Sequence, residues 1–391
     1  MDHAGRREVL ESLLAAALSA VDPEPLTRRA LASHPSDATL VAIGKAAIAM
    51  SRGAADALGR IEGVCVTNHE APVPDGVDLV LGDHPIPGEN SFRAGRAVIE
   101  AVTRAEKPII ALVSGGGSSL CEHPIEGVPE MFIRQTTRRL LDDGASIDEI
   151  NQVRRHLSAI KGGGLARMAR VPITTLVISD VCGADASVIA SGPTVEQPHD
   201  PEAAIAVLSR HDIGVPGEIR DAIFHRRAGR PVETRVTVLA DGHTAAKALA
   251  SSARQSGFTA TVQDSWLHGD ASTCLDTFLE SAGNGLTIAT GEPEVTVRGK
   301  GVGGRNTHSA LLAAKRIAGS PAMFAAFATD GEDGNSTAAG AIVDGGTIVR
   351  GGDPDPALID SDSGSYLQRT GDLLVTGPTG TNVSDLWVLW R

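Results

Sequence analysis

Residues 39–58 of this chain, TLVAIGKAAIAMSRGAADAL, decide the class of its fold. Residues 39–44 (TLVAIG) form a short apolar run that predicts a buried strand, and residues 45–58 follow at once with helical periodicity. A strand that leads directly into a helix is typical of the repeating unit of a parallel sheet covered by helices. We therefore expect an α/β fold.

The same alternation continues along the chain. Further apolar strands are predicted at residues 63–68, 78–82, 108–114 and 173–180, and helices around 91–104, 129–142 and 147–157. The pattern weakens around residues 198–232, and a second α/β rhythm begins at 234–240 and runs to the C-terminus. Because 391 residues exceed the usual size of one core, we predict two domains, 1–230 and 231–391.

Composition and charge exclude several classes of partner. The apolar fraction of 42% is ordinary for a globular protein. A formal net charge of -13 argues against nucleic acid or an anionic membrane as the main partner, but it leaves an anionic small substrate open. The four cysteines, Cys65, Cys121, Cys182 and Cys274, form no C-x-x-C pair, which gives no zinc motif and is typical of a protein of the reducing cytosol.

The N-terminal region admits two interpretations. Residues 13–21 (LLAAALSAV) are apolar and follow two arginines, which weakly resembles a signal peptide. Two glutamates interrupt that pattern, however, and the apolar residues at 10, 14, 18 and 21 recur at helical spacing. We therefore predict an amphipathic first helix, and no later run reaches the length of a membrane span.

Four loops that follow predicted strands have the composition of anion-binding loops. They lie in residues 112–120 (LVSGGGSSL), 177–194 (VISDVCGADASVIASGPT), 325–340 (AAFATDGEDGNSTAAG) and 373–385 (LLVTGPTGTNVSD). Small polar turns let backbone N–H groups converge on an oxyanion, and ligands of parallel sheets bind at the carboxyl ends of strands. The candidate cofactor-binding donors are Ser114, Gly115, Gly116, Gly117, Ser118, Ser119, Gly377, Thr379, Gly380, Thr381 and Asn382. A flexible linker is the alternative for the serine-glycine loop.

Two cations are predicted to have catalytic roles. Lys45 stands at the first turn after a predicted strand, where a point charge suits phosphate; an exposed surface lysine is the alternative. Arg305 follows Gly303 and Gly304, and its guanidinium can form a fork to a carboxylate or phosphate. A capping or salt-bridge arginine is the alternative there.

The densest basic cluster precedes a run of three glycines. Lys161 stands immediately before Gly162, Gly163 and Gly164, which favours a cofactor-binding role for this lysine. The cluster also contains Arg154, Arg155 and His156. For the two arginines, a solvated charged helix face is as good an interpretation as a binding role.

The candidate metal ligands are four aspartates, Asp180, Asp185, Asp330 and Asp333. Carboxylates at strand ends beside phosphate loops suit magnesium, which takes few protein carboxylates. Asp180 is also a candidate catalytic base, and its role is not separable from that of the acids in residues 330–333. The alternative for Asp185 is a helix cap, and for Asp330 a structural Asp-Gly turn. The spacing in the latter loop does not match an EF-hand.

Taken together and in order, eight segments resemble the glycerate 2-kinase family with a C-terminal MOFRL domain. They are GKAA at Gly44, GDHPIPGENS at Gly82, SGGGSSL at Ser114, INQVRRHLSAIKGGGLA at Ile150, ISDVCGADASVIASGPT at Ile178, GKGVGGRN at Gly299, ATDGEDGNSTAAGA at Ala328 and TGPTGTNVSDL at Thr376. The resemblance extends over nearly the whole chain, and the long segments are very specific.

The resemblance implies an enzyme that uses ATP and magnesium (Mg2+) to phosphorylate the 2-hydroxyl of D-glycerate; the cysteines predict that it is cytoplasmic. It implies two α/β domains, the first a Rossmann-like three-layer sandwich with a mostly parallel sheet and the second with a mixed sheet, and an active-site cleft between them. It also implies that Lys45 and Arg305 are the key cations. The oligomeric state stays open, with a homodimer as one alternative.

Two departures from the family pattern leave the exact hydroxy acid open. The loop after Asp180 contains Gly183, Ala184 and Asp185 where the family usually has Gly-Asp-Asp, and Thr307 and His308 replace the usual Gln-Glu. A kinase for another short hydroxy acid or aldonate is therefore one alternative. A hydroxypyruvate reductase is another, but the chain lacks the G-x-G-x-x-G motif of a nicotinamide site. A ligand-binding or sensor protein is the alternative outside enzymes.

Overall fold

The computed structural model describes residues 2–181, 183, 185–225 and 229–391. Cys182 and Ala184 lie outside the described residues. The strands are β1 Thr39–Ile43, β2 Glu62–Thr67, β3 Val77–Leu81, β4 Ile109–Val113, β5 Ile173–Ile178, β6 Thr234–Ala240, β7 Ala260–Asp270, β8 Leu286–Glu294, β9 Met323–Ala328, β10 Gly340–Asp344, β11 Leu373–Leu374 and β12 Asp385–Trp390.

Helices separate most of these strands. They are α1 His3–Ala20, α2 Pro23–Leu31, α3 Ala47–Leu58, α4 Glu89–Arg104, α5 Gly117–Leu120, α6 Glu130–Asp142, α7 Ile147–Leu157, α8 Gly164–Met168, α9 Pro201–Arg210, α10 Gly217–Phe224, α11 Gly242–Gln255, α12 Ala271–Ser281, α13 Arg305–Arg316, α14 Thr347–Gly351, α15 Asp355–Ile359 and α16 Ser363–Thr370. A short 3-10 turn covers Ile189–Ser191.

The chain forms two compact units, neither of which is continuous in sequence. The first unit comprises Pro23–Ser179 and Ala184–Leu239. The second unit comprises Met1–Asp22, Asp180–Gly183 and Ala240–Arg391. Each unit contains one six-stranded sheet, which confirms the predicted α/β class with two sheets.

The sheet of the first unit has the order β3-β2-β1-β4-β5-β6, and β1 to β5 pair in parallel. This is the doubly wound order, in which the strand sequence reverses between β1 and β4. Residues on both faces of β1 are buried: Val41 on one face packs with Val98 of α4, and Leu40 on the other is 1% exposed. The sheet is therefore covered on both sides, as expected for parallel strands.

The register brings two strand ends together at the switch point. Ile43 is the partner of Val113, so β1 and β4 end side by side. The loops that follow them therefore start at the same edge of the sheet, where doubly wound folds bind ligands. The next strand, β5, is in register with β4 up to Val177.

The sheet of the second unit is mixed, with the order β11-β10-β9-β12-β8-β7. Only the pair β7–β8 is parallel among the strand pairs of this sheet in the described residues, and the other pairs are antiparallel. Three aromatic rings fill the core, with Phe278, Phe324 and Trp387 in edge-to-face contact at centroid distances of 5.6–6.1 Å. Such contacts add to the stabilisation that burial of the rings already provides.

Helix α1 is the predicted amphipathic helix, but it packs in the second unit. Its Leu10 is 0% exposed. The Arg6 guanidinium lies 4.4 Å from the centre of the Trp390 ring, and Arg7 donates to the backbone oxygen of Leu373 at 3.1 Å. Sequence-continuous domain bounds do not describe this arrangement, because contacts between the two ends of the chain leave no local pattern. No helix in the described ranges is both long and apolar enough to cross a membrane.

The predicted boundary at residue 230 also differs from the structure. Strand β6, Thr234–Ala240, is the edge strand beside β5 in the first sheet. The rhythm that begins at this strand therefore starts with the last strand of the first unit. The alternation of strand and helix shows that a strand is present but not which sheet it joins.

Candidate active site

The site begins with a close contact between the loops after β1 and β4. Gly44 has a φ of +130°, and a Cβ on it would lie 2.2 Å from the Ser114 Oγ. The Lys45 N–H donates to the Gly115 oxygen at 2.9 Å, and the Ala46 N–H donates to the Ser114 Oγ at 3.1 Å. Only glycine at position 44 permits this contact, and the hydrogen bonds hold the two loops together.

Two side chains line the space above Gly116. Gly116 has a φ of +79°, and a Cβ on it would lie 3.2 Å from the Lys45 Cγ and 3.4 Å from the His84 Cδ2. His84 comes from the GDHPIPGENS segment that follows β3, and its residue is exposed. The Ser119 hydroxyl donates to the Pro85 oxygen at 2.6 Å and ties this segment to the glycine loop.

His84 is held in its neutral form. Burial of the ring, together with the positive charges of Lys45 and Arg154, lowers the pKa of His84 to about 4. One edge of the residue nevertheless remains open to solvent. At neutral pH the imidazole can therefore donate one hydrogen bond and accept another.

Arg154 is the second cation near His84. It lies on α7, is 8% exposed, and donates from Nη1 to the Ser118 Oγ at 3.3 Å. The Ser118 and Ser191 hydroxyls lie 2.9 Å apart, and the Ser191 hydroxyl donates to the Asn151 Oδ1 at 2.8 Å. Burial lowers the pKa of Arg154, and Glu122 opposes that effect. The solvated-face interpretation is wrong for Arg154.

A sequence pattern could have identified Arg154. The buried apolar residues of α7 are Ile150, Val153 and Leu157. Arg154 falls at the i+4 position of the same stripe, so a charge stands where the helical period predicts an apolar side chain. His84, by contrast, stands in the segment GDHPIPGENS, which carries no local signal of a contact with Lys45. Its approach to Lys45 depends on the tertiary fold.

The structure does not place Lys161 with these residues as a ligand-binding cation. Lys161 is 0% exposed, and its Nζ donates to the Glu122 Oε2 in a buried ion pair. The glycines after it are structural too, because the N–H groups of Gly162 and Gly163 donate to backbone oxygens of Ser191 and Gly192 at 2.9 and 2.7 Å. Spacing alone did not reveal the acid that neutralises this lysine.

Arg305 lies in the second unit, at the first residue of α13. Its Nε and Nη2 donate to the Asp385 carboxylate at 2.6 and 2.9 Å, and its Nη1 lies 2.8 Å from the Glu292 Oε1. Burial alone would lower the pKa of Arg305, but Asp385 and Glu292 outweigh it and raise that pKa. The salt-bridge alternative for Arg305 is therefore present in the structure, and a fork to a ligand stays a prediction.

Asp333 caps the same helix. Its two oxygens accept from the Asn306 and Thr307 N–H groups, each at 2.8 Å, and the residue is 1% exposed. Burial raises the pKa of Asp333, and these backbone donors oppose the rise. With both oxygens engaged, Asp333 is placed as a helix cap rather than as a metal ligand. Asp185 is exposed and accepts from the Ser187 N–H at 2.8 Å in a turn; the element that follows is the 3-10 turn Ile189–Ser191, with Val188 at its N-cap, rather than a helix capped by Asp185.

The backbone segments of Asp180 and Asp330 are connected through Ser384 and Thr329 in the second unit. The Ser384 hydroxyl donates to the Asp180 backbone oxygen at 2.6 Å, and the Thr329 hydroxyl donates to the Ser384 oxygen at 2.6 Å. Asp330 is the next residue, and its backbone oxygen accepts from the Thr379 N–H at 3.1 Å. The described residues contain no group of three or more His, Cys, Asp or Glu side chains that could hold a metal.

Part of the loop 377–382 serves the fold. The Thr379 hydroxyl donates to the Thr329 oxygen at 2.5 Å, and the Thr381 hydroxyl donates to the Val21 oxygen at 3.1 Å. The Asn382 Oδ1 accepts from the Ser384 N–H at 3.2 Å. These hydroxyls are therefore engaged within the protein, whereas Gly377 and Gly380, with φ values of +66° and +79°, have open space where a Cβ would stand.

Comparisons with known proteins agree with this architecture. A family model described as "Domain of unknown function (DUF4147)" matches residues 9–224, and one described as "MOFRL family" matches residues 285–385. D-glycerate 2-kinase from Thermotoga maritima is 36% identical, over 94% of both chains. The chain belongs to the glycerate 2-kinase family with a C-terminal MOFRL region. This membership confirms the resemblance carried by the eight segments.

A solved structure and one further relative bear on fold and function. A crystal structure of glycerate kinase from Thermotoga maritima has a TM-score of 0.89 and 34% identity, and the match covers 99% of each chain. A relative from Agrobacterium vitis is 35% identical, over 97% of this chain and 93% of its own, and carries the provisional name hydroxypyruvate reductase. The family thus includes proteins named for two different activities.

Proposed function

We propose that this protein is a glycerate 2-kinase, which transfers the γ-phosphoryl group of ATP to the 2-hydroxyl of D-glycerate. The observation that carries the proposal is the 36% identity to a D-glycerate 2-kinase over 94% of both chains. The geometry of the first unit supports it, because Lys45 and Arg154 stand beside a glycine loop at the switch point of a doubly wound sheet. We place the enzyme in the cytoplasm, in keeping with the free thiols of Cys65, Cys121 and Cys274.

The chemistry depends on positioning and on charge. Phosphoryl transfer requires little covalent help, so an enzyme accelerates it by aligning the hydroxyl with the phosphorus and by stabilising the charge that moves. Lys45 supplies a positive charge beside the glycine loop for this purpose. His84 lies within reach of the same space and, being neutral, can accept a hydrogen bond from the acceptor hydroxyl.

The residues present fit a nucleotide and a magnesium ion. Residues 115–117 are consecutive glycines, so phosphate oxygens can approach the backbone without meeting a Cβ. Magnesium takes one or two protein carboxylates together with phosphate oxygens and water, and Asp180 and Asp330 supply two candidate carboxylates on segments that Ser384 and Thr329 connect. Magnesium, when bound, would neutralise charge on the phosphate oxygens. We propose these two acids, rather than Asp333, as its ligands.

The proposal is tested by assaying ADP release with ATP, magnesium and a panel of acids that includes D-glycerate, L-glycerate and aldonates. Phosphorus NMR of the product then distinguishes 2-phosphoglycerate from 3-phosphoglycerate. We expect D-glycerate to be the preferred acceptor, the 2-phosphate to be the product, and excess chelator to abolish turnover. Absence of ADP release with every acid would contradict the proposal.

Hydroxypyruvate reduction is the second candidate, because a relative carries that name and because the first sheet has the strand order of dinucleotide-binding folds. The turn after β1, GKAA, lacks the glycine fingerprint that receives a pyrophosphate. We therefore expect no oxidation of NADH or NADPH in the presence of hydroxypyruvate. Hydroxypyruvate reduction at a rate comparable with that of glycerate phosphorylation would contradict the ranking of the kinase as the first candidate.

A further inference from the structure

Arg154 is a buried cation without an acidic partner in the described part of the chain. It is 8% exposed, and no carboxylate oxygen of the described residues lies within 4.0 Å of its guanidinium. Its Nε has no hydrogen-bond partner, and its Nη1 contacts only the neutral hydroxyl of Ser118. Burying a charge without compensation is strongly unfavourable. An arginine in this position therefore needs a reason that the free protein does not supply.

The nearest acid does not provide that compensation. Glu122 acts on Arg154 electrostatically, but its carboxylate is already paired with the Lys161 Nζ, and both side chains are 1% exposed. Its other oxygen accepts from the His123 N–H at 2.8 Å. The pair Lys161–Glu122 is thus neutral as a unit, and the charge of Arg154 remains uncompensated.

Arg154 contacts the same loop as Lys45, from a different element. Lys45 precedes α3 and lies next to Gly116, whereas Arg154 projects from α7 to Ser118 of the same loop. His84 experiences the charge of both. The loop is therefore flanked by two cations with a neutral imidazole near them, which is an arrangement that an anion carrying a hydroxyl group would complete.

Resting on the proposed function, we infer that Arg154 binds the carboxylate of the hydroxy-acid substrate. A guanidinium presents parallel N–H groups that match a carboxylate, whereas the lysine ammonium is a point charge better suited to a phosphoryl group in motion. With the carboxylate on Arg154, the neighbouring hydroxyl lies on the side of His84 and Lys45. The inference gives Arg154 the role of selecting acids over uncharged polyols.

The test compares Arg154→Met and Arg154→Lys with wild type. The control variant is Arg139→Lys, which alters an exposed arginine paired with Asp143 on α6. We expect Arg154→Met to raise KM for D-glycerate by about 10- to 100-fold, which corresponds to loss of a charged hydrogen bond, and to leave KM for ATP unchanged. Arg154→Lys keeps the charge but loses the paired N–H groups of the guanidinium. Its KM for D-glycerate should therefore lie between those of wild type and Arg154→Met.

Thermal stability supplies a readout independent of turnover. Removal of an uncompensated buried charge should leave the Tm of ligand-free Arg154→Met at or above that of wild type. D-glycerate without ATP should raise the Tm of wild type and Arg139→Lys but not of Arg154→Met. Glycerol, which lacks the carboxylate, should raise none of them. Inorganic phosphate should act equally on wild type and Arg154→Met.

Each contrary result has a distinct meaning. If KM for ATP rises while KM for D-glycerate does not, or if only the phosphate effect on Tm is lost, Arg154 binds phosphate and the inference is wrong. A lower Tm with both KM values unchanged would make Arg154 structural. If wild type phosphorylates no acid, the proposed function fails, and the Tm shift with D-glycerate still decides the role of Arg154. Absence of any shift by a carboxylate in wild type would also overturn the inference.

Discussion

At the scale of single residues, the two cations predicted to be catalytic have different surroundings. Lys45 is partly exposed and lies against Gly116 and His84 at the ends of two strands. Arg305 is held by two carboxylates, one of them fully buried. The residue types and their neighbouring glycines looked equivalent in the sequence. The structure thus places Lys45 beside the glycine loop after β4 and Arg305 between two carboxylates.

Lys45→Ala is expected to lower kcat at least roughly a hundredfold, which equals about 2.7 kcal/mol of transition-state stabilisation. The reason is loss of a positive charge beside the glycine loop. Lys107→Ala is the matched control, since Lys107 is a half-exposed lysine paired with Asp37 on the surface. Steady-state kinetics of both variants check the prediction. A folded Lys45→Ala enzyme with nearly normal turnover would exclude Lys45 from the mechanism.

His84 is expected to titrate near pH 4, because burial and the charges of Lys45 and Arg154 lower its pKa. Lys45→Met is expected to raise that pKa part of the way towards the ordinary 6.5, since burial and Arg154 still lower it. NMR titration of the ring, assigned with His84→Gln, measures both values. Between pH 6.5 and 4 the unfolded chain binds a proton that the folded chain does not, so this residue makes stability fall as pH falls. An unchanged pKa in Lys45→Met would contradict the proximity of the two side chains.

At the scale of elements, the start of α13 is a cluster of charges that organises the second unit. Asp333 accepts from the first free N–H groups of the helix, which is the usual requirement of a helix N-terminus. Arg305 connects the same end to β12 through Asp385 and to β8 through Glu292. Of the four aspartates that the sequence suggested as metal ligands, Asp333 therefore positions a helix instead.

Arg305→Lys is expected to lower both Tm and kcat. A lysine cannot reproduce the two-point contact with Asp385, so a buried carboxylate loses part of its compensation. Glu292→Gln is the control, because it removes the half-exposed partner and leaves the fork to Asp385 in place. Thermal denaturation measures the effect on stability, and kinetics at a temperature below the Tm of both wild type and variant measure the effect on kcat. If Arg305 acts on the phosphoryl group, kcat falls at constant temperature, and if it holds the acid, KM rises instead.

A lysine variant that keeps the Tm of wild type would show that the fork contributes little to the fold. If Arg305→Lys keeps the kcat and KM of wild type but has a lower Tm, the role of Arg305 is structural only. The Glu292→Gln control shows how much of any effect comes from the contact with Glu292 and how much from the fork to Asp385.

At the scale of the whole molecule, helix α1 belongs with a sheet more than two hundred residues away in sequence. All three tryptophans of the chain, Trp266, Trp387 and Trp390, lie in that second unit. Tryptophan fluorescence therefore reports the unfolding of this unit and not of the first. The packing of α1 can be tested through that signal.

Leu10→Ala is expected to destabilise the second unit by about 2–5 kcal/mol, because Leu10 is 0% exposed and its truncation leaves a cavity. The midpoint of the fluorescence transition in denaturant should fall accordingly. Ser12→Ala, on the exposed side of the same helix, is the control and should leave the midpoint unchanged. A midpoint unaffected by Leu10→Ala would place α1 outside the cooperative structure of this unit.

The sequence predicted the elements that local pattern can encode. Strands β1, β4 and β5 and the helices between them follow from short apolar runs and helical periodicity, and the loops after these strands were identified because glycine and serine cluster there. Family resemblance added the activity. The loops of Gly44 and Ser114 were correctly expected at one edge of a sheet, since parallel strands end on the same side.

What the sequence by itself determined is therefore the α/β class, the strand-end loops and the membership of a kinase family. Only the tertiary structure decided which charges are free to act. It paired Lys161 with Glu122, used Asp333 as a cap, brought His84 to Lys45 and left Arg154 without an acid. The physical reason is that secondary structure depends on neighbours within a few residues, whereas the state of a charge depends on burial and on partners that lie far away in sequence.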